Sequence, residues 1–586
     1  MLNRLTSAQR QVVITKRRKV VVKACPGSGK TYCVAARLVY KLKTWDSSHK
    51  GIAALSFTNV AWQEIRDTLR NAQGDAFTIR FPHFIGTIDS FINQFIFLPF
   101  GHCAIGCADR PRLVGEPYGR WTSKRSIYQK CFCDLVYDFD GNLQRRFPQL
   151  IGNDLWERDK TKFKNAKEGL LKAGIATQDD ADYFALQILR KHPEVSKALA
   201  KRFPVLIIDE AQDTTDIQMA IIDCLLNAGL EEIMLVGDPD QAIFEWNDAK
   251  PELFKRKVNQ WEANALELNQ NRRSSRNICE FSHFLSSFES PSRSICYQDG
   301  NYKCDSRPQI ISYTDVASAL AHFKKCCEQS SLRLEKKSVL CRSRNAVADM
   351  LCSGASSTGS IQESPWNDGL EGDVVSYLAK GKYNFVNGDF VSGIHRCDKA
   401  IVMLGKKKSR VSNEEIKDVK IGIGVSEWRK NIYKLISNLP DVDLTIENWI
   451  SRANIAISGL HPGNDFTTAF KPKMKDMVVR DIYAKYEPGS FIDDIEITTI
   501  HGAKGRTLDA VMVVLSSGYK AILKEAAKSV STSMKPEKLR IVYVGITRPR
   551  KLLVLAVPET DLEAWKTFFC ISETIDNGEV CSETPV

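Results

Sequence analysis

Residues 20–33 read VVVKACPGSGKTYC. The opening valines favour an extended strand, because β-branched side chains fit a pleated surface. They run into Pro26, Gly27, Ser28 and Gly29, then into Lys30 and Thr31 at the head of a helical stretch, residues 32–42. A strand, a glycine-bearing turn and a helix in that order point backbone N–H groups inward. Together with the helix N-terminus they form a cradle for phosphate oxygens. The pattern is G-x-x-x-x-G-K-[ST] with Ala24 in the first place. Lys30 brings a point charge to the β- and γ-phosphates, and Thr31 a hydroxyl to Mg²⁺. Ala24, Cys25, Pro26, Gly27, Ser28, Gly29, Lys30 and Thr31 are therefore the expected nucleotide loop. Cys25 and Tyr32 are its two unusual members.

Outward from the loop, short apolar runs alternate with polar turns and helical patterns, which implies parallel α/β sheets. One set is 20–22, 52–55, 205–208 and 233–236; a second is 338–341, 495–499, 511–515 and 552–556. Two sets imply two α/β cores. Residues 101–195 and 346–490 interrupt them as insertions, the first with a helical stretch at 180–189. The second opens on the Ser/Gly-rich run CSGASSTGSIQES (352–364), expected as a loop.

Two further strand ends carry chemistry. VLIIDEAQD (205–213) delivers Asp209 and Glu210 to the carboxyl end of a strand, where open α/β sheets bind ligands. Asp209 is placed to hold Mg²⁺ through water, and Glu210 to take a proton from an attacking water. MLVGDPDQAIFEW (234–246) places Gln241 after another strand end, as a sensor of the γ-phosphate. Phe244 and Trp246 follow; flat faces beside a polar loop serve either as core or as platforms for unpaired bases, worth ~1–3 kcal/mol per base.

Bulk properties agree with several domains in a soluble chain. There are 586 residues, 43% hydrophobic and 26% charged, with no apolar run long enough for a membrane span and no signal-peptide core. The chain is expected in the cytoplasm. Net charge is +12, which favours a polyanionic partner. The 17 cysteines follow no framework spacing and are expected to be reduced. Cys103, Cys107, Cys131 and Cys133 are the one suggestive group, read as ordinary thiols before a metal site.

These residues carry a resemblance to superfamily 1 helicases of the UvrD/Rep type. Gln9 in LTSAQRQVV resembles the family's adenine-reading glutamine. ALSFTN (54–59) with Ala61, Glu64 and Arg66 resembles motif Ia, and IGTIDSF (85–91) motif Ib. DEAQD and GDPDQAIFEW resemble motifs II and III. LNQNRRS (268–274), TIHGAKG (499–505) and YVGITR (543–548) resemble motifs IV, V and VI, with Arg273 and Arg548 in the places of the family's arginines.

The resemblance implies an α/β fold of two RecA-like P-loop NTPase cores with mostly helical insertions. Core 1A would be 1–100 and 196–262, insertion 1B 101–195, core 2A 263–345 and 491–560, insertion 2B 346–490, and the tail 561–586. It implies ATP and Mg²⁺ bound between the cores, with Arg273 and Arg548 as arginine fingers and single-stranded or tailed duplex DNA across both. Phe57, Phe244 and Trp246 would stack bases; Asn59, Thr87 and His501 would contact backbone or bases. The implied activity is a DNA-stimulated ATPase moving 3′→5′ and separating strands. The alternative is a nucleotide-sensing subunit of a nuclease complex in phage defence, of the Gabija kind. Residues 549–586 are too few for the nuclease domain some relatives carry.

Four places depart from the family pattern. Asp89 stands where motif Ib commonly has His, and Glu245 where motif III commonly has Gly between its aromatics. Thr507 stands where motif V commonly has a ribose-binding Glu, with Asp509 a candidate substitute. Tyr32 and Arg272 occupy places where the family commonly has Arg and Tyr. Either the two exchanged partners still clamp adenine, since ring and guanidinium both stack on a π face, or they are unrelated surface changes. Cys25 replaces a glycine and brings an expected risk of thiol oxidation at the phosphate site.

Overall fold

The computed structural model describes residues 5–570 except 58, 74–80, 119–120, 122–125, 147–150, 245–248, 296–305, 355–364, 368, 387–388, 410, 412, 459–465, 468, 485–488 and 530–531. The fold is mixed α/β with parallel sheets, as two RecA-like cores require. The chain divides into two compact units. One is Met1–Ser312, Gln329–Lys336 and Ala503–Val586; the other is Tyr313–Glu328 and Lys337–Gly502.

The first unit is built on six strands: β1 Lys19–Ala24, β2 Ile52–Ser56, β3 Phe84–Thr87, β4 Val205–Ile208, β5 Glu232–Gly237 and β6 Ala265–Leu268. Their order is β6-β1-β5-β4-β2-β3, and every pairing is parallel. Strand alternation sorts the side chains onto two faces. Val20, Val22, Ala24, Ile52, Ala54, Val205, Ile207, Met234 and Val236 pack on one side, with Val34 and Leu38 of the helix Lys30–Leu42. Val21, Ala53, Leu55, Leu206, Ile208, Ile233 and Leu235 pack on the other, with Ala185 and Leu189 of the helix Gln178–Lys191 and Ile222 of the helix Asp216–Asn227. Both faces are covered, so these strands read in sequence as unbroken apolar runs. β3 and β6, at the two edges, carry mixed burial and left no such run.

Because β1, β5 and β4 are neighbours in the sheet, their carboxyl ends deliver the P-loop, Asp238 and the Asp209–Glu210 pair side by side. The helix expected at 180–189 spans Gln178–Lys191. The same unit holds Leu508–Val514 paired in parallel with Pro549–Pro558.

In the second unit, Lys337–Cys341 pairs in parallel with Ile495–Thr499, which pairs antiparallel with Ser490–Ile492. Its other core is helical. The helices Leu370–Val386, Phe390–Lys406, Val425–Asn438 and Ile446–Ser458 converge on Trp428, Ile436 and Trp449. Among the described residues no helix is long and apolar enough to cross a membrane. Among them, too, no group of His, Cys, Asp or Glu is assembled to hold a metal, and Cys103, Cys107, Cys131 and Cys133 are free thiols.

Candidate nucleotide site and adjoining aromatic surface

The P-loop turns through two left-handed glycines, Gly27 at φ 71° and Gly29 at φ 78°. Gly27 is required twice over. A Cβ there would lie 2.3 Å from Asn271 Oδ1 and 2.7 Å from Arg273 Cβ. The loop is pinned to the segment after β6: Cys25 N–H donates to Leu268 O at 2.9 Å and Arg272 N–H to Gly27 O at 2.9 Å. Gln9 Nε2 donates to Ser28 O at 2.8 Å. Its helix, Ser7–Ile14, starts with a Thr6 capping box and ends on Arg37, whose guanidinium donates to the carbonyls of Val12, Val13 and Thr15 and to Glu232. Gln9 is thus fixed against the loop from both ends of its helix.

Lys30 is 9% exposed, and its Nζ has no hydrogen-bond partner among the described residues. Burial works against its charge, but Glu210, Asp238 and Asp209 outweigh that and hold the ammonium above its usual range. A buried ammonium whose hydrogen bonds are unmade is costly unless an anion completes them. Glu210 Oε1 lies 3.7 Å away.

Thr31 Oγ1 donates to Asp209 Oδ2 at 3.1 Å. The two oxygens expected to share Mg²⁺ are therefore adjacent, and a hard divalent cation takes such a set. Burial, then the charge of Glu210, pushes Asp209 up. Burial would raise Glu210 too, but Lys30, Lys504, the Gln212 amide and Arg548 prevail and keep it low and ionised. Glu210 has φ 54°, which costs a side chain other than glycine ~1–3 kcal/mol and concentrates at working sites.

Gln241 and the two arginines meet here. Gln241 Nε2 donates to Asp238 Oδ2 at 2.5 Å, while Arg548 donates to Gln241 Oε1 at 2.9 Å. Arg273 donates to Thr507 Oγ1 at 3.0 Å and to Thr547 O at 3.2 Å. Arg548 is 1% exposed, and burial together with the charge of Arg273 lowers it to about 9. Like charges gathered in a buried place call for an anion between them.

Two sequence readings, those of Asp509 and Cys25, need correction. Asp509 is engaged elsewhere: its Oδ2 accepts the N–H groups of Glu335 and Lys336, at 3.0 and 3.1 Å. Thr507 bonds the Arg273 arm. Cys25 is 1% exposed, and burial pushes its thiol well above the usual range; such a thiol is inert, so the expected oxidation risk falls away. Asp89 is half-buried, accepts from Gln218 Nε2 at 2.9 Å, and is raised to about 6 by burial and by Asp179. Tyr32 and Arg272 are both half-buried.

Phe57 and Phe244 lie together, ring centroids 5.4 Å apart and planes tilted by 36°. Thr87 is 7% exposed, its hydroxyl accepting from Ser90 N–H as a helix cap. His501 is half-buried in the second unit. Trp246, Glu245 and the Asn59 side chain fall outside the described residues.

Three residues with no role read from sequence join these parts. Gln212 Nε2 donates to Glu210 Oε2 at 2.6 Å and Asp213 Oδ2 at 3.1 Å, while its Oε1 accepts from Asp238 N–H at 3.0 Å. Lys504 Nζ pairs with Asp213 Oδ2 at 2.6 Å and sits 4.6 Å over the Phe244 ring. Gln212 and Asp213 lie inside DEAQD and Lys504 inside TIHGAKG, but nothing local shows that they meet.

The UvrD/REP helicase N-terminal domain matches residues 5–101 and 124–262, and the UvrD-like helicase C-terminal domain matches 468–560. Together these cover more than half of the chain. The chain belongs to the UvrD/REP helicase family. Among UvrD-like relatives, DNA helicase II of Salmonella typhimurium is 26% identical over 306 residues, 49% of this chain and 40% of that protein. DNA helicase II of Escherichia coli gives the same figures. The ATP-dependent DNA helicase PcrA of Staphylococcus aureus is 24% identical over 296 residues, 47% of this chain and 39% of that protein. The matched region thus spans about two fifths of the length of these curated relatives.

Proposed function

We propose that the chain is an ATP-dependent DNA helicase that moves 3′→5′ along one strand, working in the cytoplasm. The observation that carries this reading is a continuous path of side chains. It runs from Glu210 through Gln212 and Asp213 to Lys504, and from Lys504 over Phe244 to Phe57. One end suits phosphate chemistry and the other suits base stacking. The polarity rests on the family alone.

In this reading ATP lies on the P-loop, with Lys30 completing its contacts on the β- and γ-phosphates. Thr31 and Asp209 hold Mg²⁺, which supplies charge neutralisation on the phosphates. Glu210, ionised, orients the attacking water and takes its proton. Gln241 senses the γ-phosphate, and Arg273 and Arg548 offset charge on the transferring group, worth ~10³–10⁵ in rate for such fingers. Gln9, Tyr32 and Arg272 take the adenine. Loss of the γ-phosphate frees Gln241 and Arg548 to rearrange, and the path through Gln212 and Lys504 passes that change to the stacked base. Phe57 and Phe244, with Asn59, Thr87 and Trp246, form the DNA track of the first unit, and His501 contacts DNA from its own unit. The division into 1A, 1B, 2A and 2B follows the bounds given above.

The test is ATP hydrolysis with and without single-stranded DNA, then strand separation on a 3′-tailed duplex. DNA-stimulated hydrolysis with unwinding is expected. Stimulation without unwinding favours the nuclease-associated subunit instead. Glu210→Gln should bind ATP and DNA and not turn over; ordinary turnover removes Glu210 from the role of base.

A further inference from the structure

On the first unit, the helices Lys520–Lys528 and Leu562–Phe568 border a groove of about 920 Å³. Its apolar lining includes Leu523, Ala564 and Phe568, with Phe284 41% exposed. Lys520, Lys524 and Lys528 stand exposed along it, and none forms an ion pair with a described residue. Lys535 is 5% exposed in the wall, and its Nζ reaches Ser529 Oγ at 3.4 Å. Among the described residues lining the groove the one carboxylate is Glu563, and it is already 3.6 Å from Lys566. A positive, apolar trough of this kind suits an acidic peptide with apolar side chains.

The chain carries such a peptide, starting at the groove itself. Cys570 is part of the wall. After it comes ISETIDNGEVCSETPV (571–586), with Glu573, Asp576, Glu579 and Glu583 and no Lys or Arg. Ile571, Ile575 and Val580 are spaced among the acids. At ~3.3 Å per extended residue, six residues reach ~20 Å, about the length of a thirteen-residue helix. A segment tethered at the wall acts at an effective concentration near the millimolar range, so modest affinity fills the groove.

We propose that residues 571–586 dock into this groove of the same chain, acids against Lys520, Lys524 and Lys528 and apolar side chains against the lining. The groove is then a self-covered surface that another acidic, apolar segment can enter only by displacing the tail.

Zero-length carbodiimide cross-linking of the full chain, read by mass spectrometry, tests this without nucleotide or DNA. Tail carboxylates should join to Lys520, Lys524 and Lys528, with a yield unchanged on ten-fold dilution. A mixture of light and heavy-isotope chains should give no mixed products. Lys524→Glu with Lys528→Glu should lower the remaining cross-link to Lys520 at least five-fold and leave ATP hydrolysis unchanged. The proposal is overturned if these cross-links are absent, or if tail carboxylates join lysines all over the surface without preference. Mixed-isotope products alone would also overturn it, by assigning the groove to a second copy.

Discussion

Arg548 donates to the amide oxygen of Gln241 at 2.9 Å, joining residues 307 apart in sequence. The same amide donates to Asp238. Gln241 is thus held from both sides, by an acid after β5 and by an arginine from the C-terminal region. An incoming γ-phosphate competes for that arginine. Arg548→Ala should lower kcat for ATP by about 10³-fold. A cycle with Gln241→Ala should show strong non-additivity, because residues in one network couple. Additive losses in steady-state kinetics would mean that the contact carries no catalytic coupling.

Gly27→Ala should abolish nucleotide binding while leaving the fold intact. The added methyl meets Asn271 and Arg273 at distances no side chain tolerates, at a φ that disfavours it. Fluorescent-nucleotide titration with circular dichroism checks both halves of this expectation.

Asp213 is expected to contribute to the acid side of the pH response. Burial first, with Glu210 adding to it, raises its carboxyl to about 6 against the pull of Lys504. The folded state therefore binds this proton more tightly than the unfolded chain does. Ionised Asp213 costs stability above pH 6, and the cost is relieved as pH falls from about 6 towards 4. Lys504→Met removes the favouring cation and should move the acid limb of the kcat profile to higher pH. An unmoved limb would take Asp213 out of the path.

A purely structural prediction concerns Lys167 and Asp180, both fully buried and 2.8 Å apart. Lys167 Nζ also donates to Leu135 O at 2.7 Å and to Phe132 O at 3.3 Å. Lys167→Met strands a buried carboxylate and should cost about 3–5 kcal/mol in denaturant unfolding. Adding Asp180→Leu should recover much of it, since neither charge then remains.

Gln212→Ala should uncouple the two ends of the site. It leaves Lys30, Thr31 and Asp209 in place but frees Glu210 Oε2 and Asp213 from their shared donor. Misplacing a reacting group by about 1 Å costs about 10²-fold. DNA stimulation of hydrolysis should fall by that order, with KM for ATP little changed.

The buried strands were legible because both sheet faces are covered. VVV at 20–22, VLII at 205–208 and IMLV at 233–236 could only be core strands, and each ends on a residue with chemistry. The edge strands Phe84–Thr87 and Ala265–Leu268 were not legible, since exposure on one side breaks their apolar pattern. Cys25 misled because a sequence shows a thiol but not its burial. Asp509 misled because backbone donors from residues 335 and 336 reach it only after folding.

Local chemistry, then, is written in the chain: a glycine turn after a strand, an acid pair at a strand end, motifs in a set order. Those features depend on neighbours a few residues away. The tertiary structure decided which distant groups meet. Strand order brings β1, β5 and β4 side by side. It also lets Lys504 neutralise Asp213 across 291 residues and gathers Arg273 and Arg548 at one buried place. Charge burial is the physical reason these meetings matter: each group is costly alone in the interior and becomes tolerable only beside its partner or an anion.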